Sequence, residues 1–345
     1  MLTKIKNLKV VKNFKIFGPI ALAFILVGAI LMLTIGLNVG LDFAGGAKLE
    51  VNLGSTVLTE EMREDIEDKI VEVIENEKFD ISSIRFGGSD KNILDIGLNY
   101  KIDGKKIDSS NTKAQTEFLD KINGTEAGNY NDGLCKLIED AIVELNGELE
   151  GDVEASARIV SGSTAQKLLV NSLWAVGIAI VVMLIYIMIR FSLTYGLASI
   201  LALIHDVLIM FTFMAIFQIP VNTTIIAAVI TIIGYSINAT IVIFDKIREL
   251  KTLESYKNIS NEEIAETAVK QTLSRTILTT LTTFAVILVL TIVCAIMGIS
   301  AMNEFALPIM FGLIAGTYSS IFLASSFWVY ISKLGKRIKK NKKKA

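Results

Sequence analysis

The sequence has 345 residues, is 52% hydrophobic and has a mean hydropathy of +0.55, too apolar for a water-soluble chain of this size, so membrane integration is the first reading. The formal net charge of −1 hides a sorting: residues 38–166 hold 27 Asp and Glu against 13 Lys and Arg, a net of −14, and the remainder is basic. The lysines outside that segment flank apolar runs, where topology and anionic lipid account for them, which argues against nucleic acid as a partner.

Residues 1–16 carry Lys4, Lys6, Lys9, Lys12 and Lys15 and read as a cytoplasmic N-terminus. The apolar run 17–37 is long enough to cross a hydrocarbon core of about 30 Å. A signal-peptide core is about 7–15 apolar residues ending at a small-residue cleavage site. This run is longer and continues into GLNVGLDFAGG, so it reads as a retained first span.

The segment 38–166 is expected outside the cytoplasm. Leu49 to Leu53 alternates as a strand, and Thr59-Glu60-Glu61 caps a helix with Ile66, Ile70, Val73 and Ile74 on one face. Ile81 to Phe86 and Ile93 to Leu98 alternate on either side of Gly87-Gly88-Ser89-Asp90, which suits a hairpin. A helix over about 130–146 aligns Leu134, Leu137, Ile138, Ile142 and Leu145, and Val153 to Val160 closes as a strand. The order βαββαβ is that of an α+β ferredoxin-like domain, two helices on one face of a four-stranded antiparallel sheet. Residues 101–128 fall outside this scheme and read as an insertion. Cys135 lies in this domain and Cys294 in a span, so they cannot bridge each other. GLDFAGG lacks the lysine and spacing of a phosphate-binding loop and reads as a tight passage from span to strand. With no nucleophile constellation or metal-ligand cluster in the sequence, a non-enzymatic role without a cofactor is expected.

Five further spans are expected within 167–331: 168–189, 194–217, 221–244, 275–298 and 304–331, with a charged cytoplasmic loop at 246–273 and a basic cytoplasmic tail at 332–345. The fold class is thus an α-helical membrane protein, a six-span bundle with an extracytoplasmic α+β domain between spans one and two.

A charged side chain near the bilayer centre costs at least about 2.5–3.5 kcal/mol, so those retained there need a partner, a hydrated cavity or a function. His205 and Asp206 in LALIHDVLIM read either as a structural pair or as an ion-pathway element. Thr231, Gly234, Asn238 and Asp245 share one helical face, which is expected to point into the bundle and bind neighbouring helices. Arg275 opens the fifth span, as a snorkelling anchor or as a charge partner inside the bundle. Thr276, Thr279, Thr280, Thr282 and Thr283 either line a hydrated path or bond back to their own helix.

Five stretches in chain order resemble the SecF family of protein-export membrane subunits. They are VGLDFAGGAKLEV, with Gly40, Asp42, Phe43, Gly45 and Gly46; RFSLTYGLASILALIHDVLI; GYSINATIVIFDKIREL; KQTLSRTILTTLTT; and GTYSSIFLASSFWV. The third contributes Gly234, Tyr235, Ser236, Asp245, Arg248 and Glu249. The resemblance implies a fold related to the resistance–nodulation–division exporters, a place in the cell membrane, and SecD, the SecYEG channel and YajC as partners. It implies that the proton-motive force, or sodium, helps draw preproteins outward. In one position the chain departs from the family pattern: Ala239 stands where an aspartate usually carries the proton. The expectation is that the titrating carboxylate comes from SecD, that Asp206 is a second site, and that Asn238 and Arg275 respond. Two other readings remain open, a half-exporter of small molecules or lipids and a non-transporting scaffold of the channel.

Overall fold

The computed structural model describes residues 9–54, 58–87, 92–106, 112–123, 133–145, 153–297 and 299–342. A first long helix, α1 (Phe14–Thr34), leads through the left-handed Gly36 (φ 85°) to a one-turn helix, α2 (Leu41–Ala44). The chain then builds β1 (Gly46–Asn52), α3 (Glu60–Asn76), β2 (Phe79–Gly87), β3 (Ile93–Ile102), β4 (Lys105–Lys106), α4 (Thr112–Asn123), α5 (Leu134–Leu145) and β5 (Glu154–Val160).

The four longer strands form an antiparallel sheet in the order β2-β3-β1-β5, and β4 pairs with the end of β3. Alternation assigns the two faces. Leu49, Val51, Leu94, Ile96 and Leu98 are fully buried beneath helices that contribute Ile66, Ile70, Ile74, Phe118, Ile122 and Ile138. Lys48 and Asp95 stand on the other face and pair at 2.8 Å. Thr59 caps α3 by accepting the Met62 N–H at 3.2 Å, as its position before Glu60-Glu61 predicts. The linker of the β2–β3 hairpin lies outside the described residues. Within 101–128 the described part is no mere appendage: it completes β3, turns through Asp103 and Gly104, and supplies Phe118 and Ile122 to the core.

The remaining helices are α6 (Gly162–Arg190), α7 (Leu193–Phe217), α8 (Thr223–Thr252), α9 (Asn261–Ile296), α10 (Ser300–Tyr318) and α11 (Ser325–Lys342), the last two joined by a π-helical stretch, Ser319–Ala324. Among the described residues six helical segments are long and apolar enough to cross a membrane: α1, α6, α7, α8, α9 and the continuous run Met302–Gly335. Helices α7, α8 and α10 pack against one another at the centre, α1 lies on α7, and α9 lies on α8 and α10. Apolar side chains such as Leu173, Ile178 and Val181 on α6 and Leu278, Leu281 and Val289 on α9 remain exposed, as lipid contact requires.

The charged, amphipathic segment 246–273, whose pattern suits a solvated or interfacial helix, is helical at both ends. Helix α8 continues to Thr252 and α9 begins at Asn261, leaving 253–260 as the connection. Charge did not end these helices, because each keeps one apolar side: Ile247 and Leu250 join Ile264, Ala265, Ala268 and Val269 in the bundle core. Ser260 caps the start of α9 through the Glu263 N–H at 3.3 Å.

Candidate functional site

Asp206 lies on α7 and is fully buried. Its Oδ1 is 2.9 Å from His205 Nδ1, and its Oδ2 accepts from Ser319 Oγ at 2.9 Å and from Ser236 Oγ on α8. Next to this group, Thr240 and Ser320 share a hydroxyl bond at 3.1 Å. The wider π-helical turn allows two successive serines to be used, Ser319 toward Asp206 and Ser320 toward Thr240. Gly316 makes the approach possible, since a Cβ there would sit 3.2 Å from Ser236 Cβ. Tyr318 stacks on the His205 ring at 5.9 Å and donates to the Phe17 carbonyl at 2.8 Å, which ties the layer to α1. The Asp206 carboxyl group is therefore held by hydroxyl donors from two other helical segments with the His205 ring beside it, an arrangement that makes a buried polar group tolerable in a membrane protein.

Asn238 faces the other way. Tyr235, Asn238, Ala239 and Val242 on α8 meet Arg275, Thr276 and Thr279 on α9 around a cleft of about 60 Å³. The sequence pattern thus brings Asn238, Ala239 and Arg275 together, but the expectation that their helix face points into the bundle is corrected. Thr231, Gly234, Asn238 and Asp245 are all exposed in this chain, and nothing lies within 4 Å of a Cβ built on Gly234. The reason is angular: at about 100° per residue, Ser236 and Asn238 stand roughly 200° apart, and Ser236 takes the inner side with Ile232, Ile233 and Ile237. Arg275 is exposed near the middle of the 36-residue α9, at the start of that helix's apolar half. The threonines that follow resolve toward self-bonding: Thr276, Thr279, Thr280, Thr282 and Thr283 each donate to a carbonyl of α9.

The other motif residues hold the scaffold. Asp42 Oδ2 accepts from both the backbone N–H (3.0 Å) and the hydroxyl (2.7 Å) of Thr223, capping α8 from a distant part of the chain. Gly40 packs so closely that a Cβ would fall 1.6 Å from Asn222 Oδ1, and a Cβ on Gly46 would fall 2.2 Å from the Leu98 carbonyl oxygen. Gly45 takes a φ of 75°, and Phe43 is half-buried in α2. At the far end of α8, Asp245 pairs with Arg190 at 3.6 Å, Arg248 donates to the Arg190 carbonyl at 3.0 Å, and Glu249 pairs with Lys246 at 2.8 Å.

Between the sheet and the outer helix ends lies a polar cavity of about 290 Å³ lined by residues including Asp42, Lys48, Arg85, Asp95, Asn222 and Glu304. Glu304 on α10 takes an ion pair from Arg85 of β2 and a hydrogen bond from Asn222. Burial lowers the Arg85 pKa from its ordinary value, and the nearby Asp95 carboxylate works against that shift. Arg85 and Glu304 did not stand out in the sequence, and Ser236, Ser319 and Ser320 appeared there only inside motif stretches. The acid in SAMNEFALPIM, isolated at the start of an apolar run, was the available signal for Glu304.

Six helical segments long and apolar enough to cross a membrane, with an α+β domain inserted after the first, define a multi-pass membrane protein. Residues 143–334 match the family model of the C-terminal region of the protein-export membrane protein SecD/SecF. The chain belongs to the SecD/SecF family and is a SecF-like subunit of protein export. It is 30% identical to the protein translocase subunit SecF of Calditerrivibrio nitroreducens over 96% of both chains, and 31% identical to that of Sebaldella termitidis over 98% of this chain and 96% of the other. It is 32% identical to the protein translocase subunit SecDF of Bacillus subtilis, over 96% of this chain and 38% of that one. The crystal structure of SecDF from Thermus thermophilus, a translocon-associated membrane protein, superposes with a TM-score of 0.65 at 27% identity, covering 94% of this chain and 38% of that one. This chain therefore spans 38% of the length of either SecDF protein.

Proposed function

We propose that this chain acts with a SecD partner in the cell membrane, both termini cytoplasmic, to promote ion-gradient-driven late translocation of preproteins through SecYEG. The observation that carries this reading is the open face of α8, where Thr231, Gly234 and Asn238, with Arg275 beside them, stand exposed at membrane depth. Polar groups and a guanidinium at that depth need protein or water opposite them, and lipid supplies neither. A second six-span chain closing over this face would complete the site, which agrees with the SecDF proteins being more than twice as long.

In this reading SecD supplies the titrating carboxylate, because Ala239 cannot carry a proton, and Asn238 and Arg275 respond to it. Asp206 serves as a second site, linked to α8 and α10 through Ser236 and Ser319. Moving one charge through 100 mV is worth about 2.3 kcal/mol, enough to bias an emerging chain over repeated cycles. The outer domain, read as ferredoxin-like on its strand order, meets the preprotein, and no nucleotide is hydrolysed by this chain. YajC is an accessory partner.

Preprotein export into vesicles with an imposed proton gradient tests the reading. Removing the partner's carboxylate should abolish gradient-stimulated export, and Asp206→Asn should reduce it. Unchanged stimulation after the first substitution contradicts coupling through SecD, and stimulation absent from the intact complex favours a scaffold, as Ala239 would allow.

A further inference from the structure

At the lysine-rich end of the bundle, residues 9–15, the start of α9 and the body of α11 enclose a cavity of about 760 Å³. Lys9, Lys12, Lys15, Lys270 and Lys333 line it, together with Glu262, Glu263 and Glu266. Two of the three carboxylates are already engaged. Glu262 pairs with Lys333, and Glu266 Oε1 accepts the backbone N–H groups of Val11 (3.0 Å) and Lys12 (3.3 Å), which fastens the N-terminal segment to α9. The charges of Glu263 and Glu266 remain opposite Lys9, Lys12, Lys15 and Lys270, none of which makes an ion pair among the described residues, so the cavity keeps an excess of positive charge.

The remaining wall is mixed, with Val11, Phe14, Val329 and the exposed Tyr330 beside the hydroxyl residues Ser260, Thr267 and Ser326. From Lys15 the surface of α1 continues through exposed Ile16 and Ile20, one helical turn apart. Unpaired ammonium groups thus sit where two spans emerge from hydrocarbon, directly above apolar surface. A soluble anion would use the charges and ignore the apolar surface; an anionic phospholipid uses both.

We propose that this cavity binds the phosphate headgroup of an anionic phospholipid, with its acyl chains lying along α1. The site rests on the membrane reading above only in that the lysine-rich end faces the anionic leaflet. Bound there, the lipid would bridge the N-terminal segment, α9 and α11, adding to the contacts that Glu266, Val10 and Phe14 already make.

The test uses the purified full chain in neutral detergent with phosphatidylglycerol or phosphatidylcholine at equal mole fraction, the lipid retained after gel filtration being quantified by mass spectrometry. Retention is expected to favour phosphatidylglycerol by about tenfold. Lys12→Gln/Lys15→Gln/Lys270→Gln should remove that preference, while Lys105→Gln/Lys121→Gln in the outer domain should keep it. Equal retention of the two lipids, or an unchanged preference in the triple variant, overturns the site. Displacement of phosphatidylglycerol by inorganic phosphate at equal concentration overturns it in favour of a soluble anion. Should the triple variant fail to fold, high salt on the wild-type chain decides: loss of the preference supports the site and persistence contradicts it. Recovery of the chain with the membrane fraction is scored separately, so failure of the lipid site is distinguishable from failure of the membrane reading.

Discussion

The two sides of α8 solve the same problem in opposite ways. Inward, Ser236 and Thr240 meet Asp206, Ser319 and Ser320, and the polar atoms that meet there are paired within the chain. Outward, Asn238 and the neighbouring Arg275 stand beside Ala239 in a cleft open to the surroundings. A helix with one closed polar side and one open polar side is built to join two bodies. The inner layer is satisfied within this chain, and the outer stripe is left for whatever covers it.

That division can be broken by substitution. Asp206→Ala has the largest expected effect on stability: it strands the Ser236 hydroxyl in the interior and leaves Ser319 only the Gly316 carbonyl, at a cost of about 2 kcal/mol, read as a lowered unfolding temperature in detergent. Asp206→Asn should cost less, because its amide oxygen still accepts. Next comes the junction to the outer domain. Arg85→Ala leaves Glu304 half-paired, and a double-mutant cycle with Glu304→Gln should give a coupling of about 1 kcal/mol; a coupling near zero would mean that the pair positions nothing. Smallest is the outer stripe. Asn238→Ala should shift the stability of the isolated chain by less than about 0.5 kcal/mol, yet reduce gradient-stimulated export in the complex. A large loss in the isolated chain would show that Asn238 is interior after all.

The same contrast explains what the sequence could and could not reveal. Spans were legible because twenty apolar residues have few other fates, and the strands and helices at 49–98 and 134–160 were legible from periods of two and 3.6, whereas β4 and α4 within 101–128 carried no pattern clear enough to place them. Helix ends were less so: α8 and α9 continue past their apolar stretches because Ile247, Leu250 and Ile264 still find a core. Asn238 and Arg275 stood out as polar residues in apolar runs. Periodicity showed that Asn238 shares a face with Thr231 and Gly234, but not which way that face points, since Ser236 places a second polar arc opposite. The partners of Asp206 were hidden because Ser236 and Ser319 are 30 and 113 residues away and serine is unremarkable in a membrane helix. The role of Asp42 as a cap for α8 depends on Thr223, 181 residues later.

The most direct test of the open face is thiol labelling at position 238. Cys294 is buried in a span, and burial, aided by Glu139, pushes the Cys135 thiol up to about 11, which keeps that thiol protonated near neutral pH; replacing both cysteines removes any residual background. In that background an Asn238→Cys chain should react readily with a membrane-permeant maleimide when alone and become protected when SecD is co-assembled. Equal labelling with and without SecD would contradict the account.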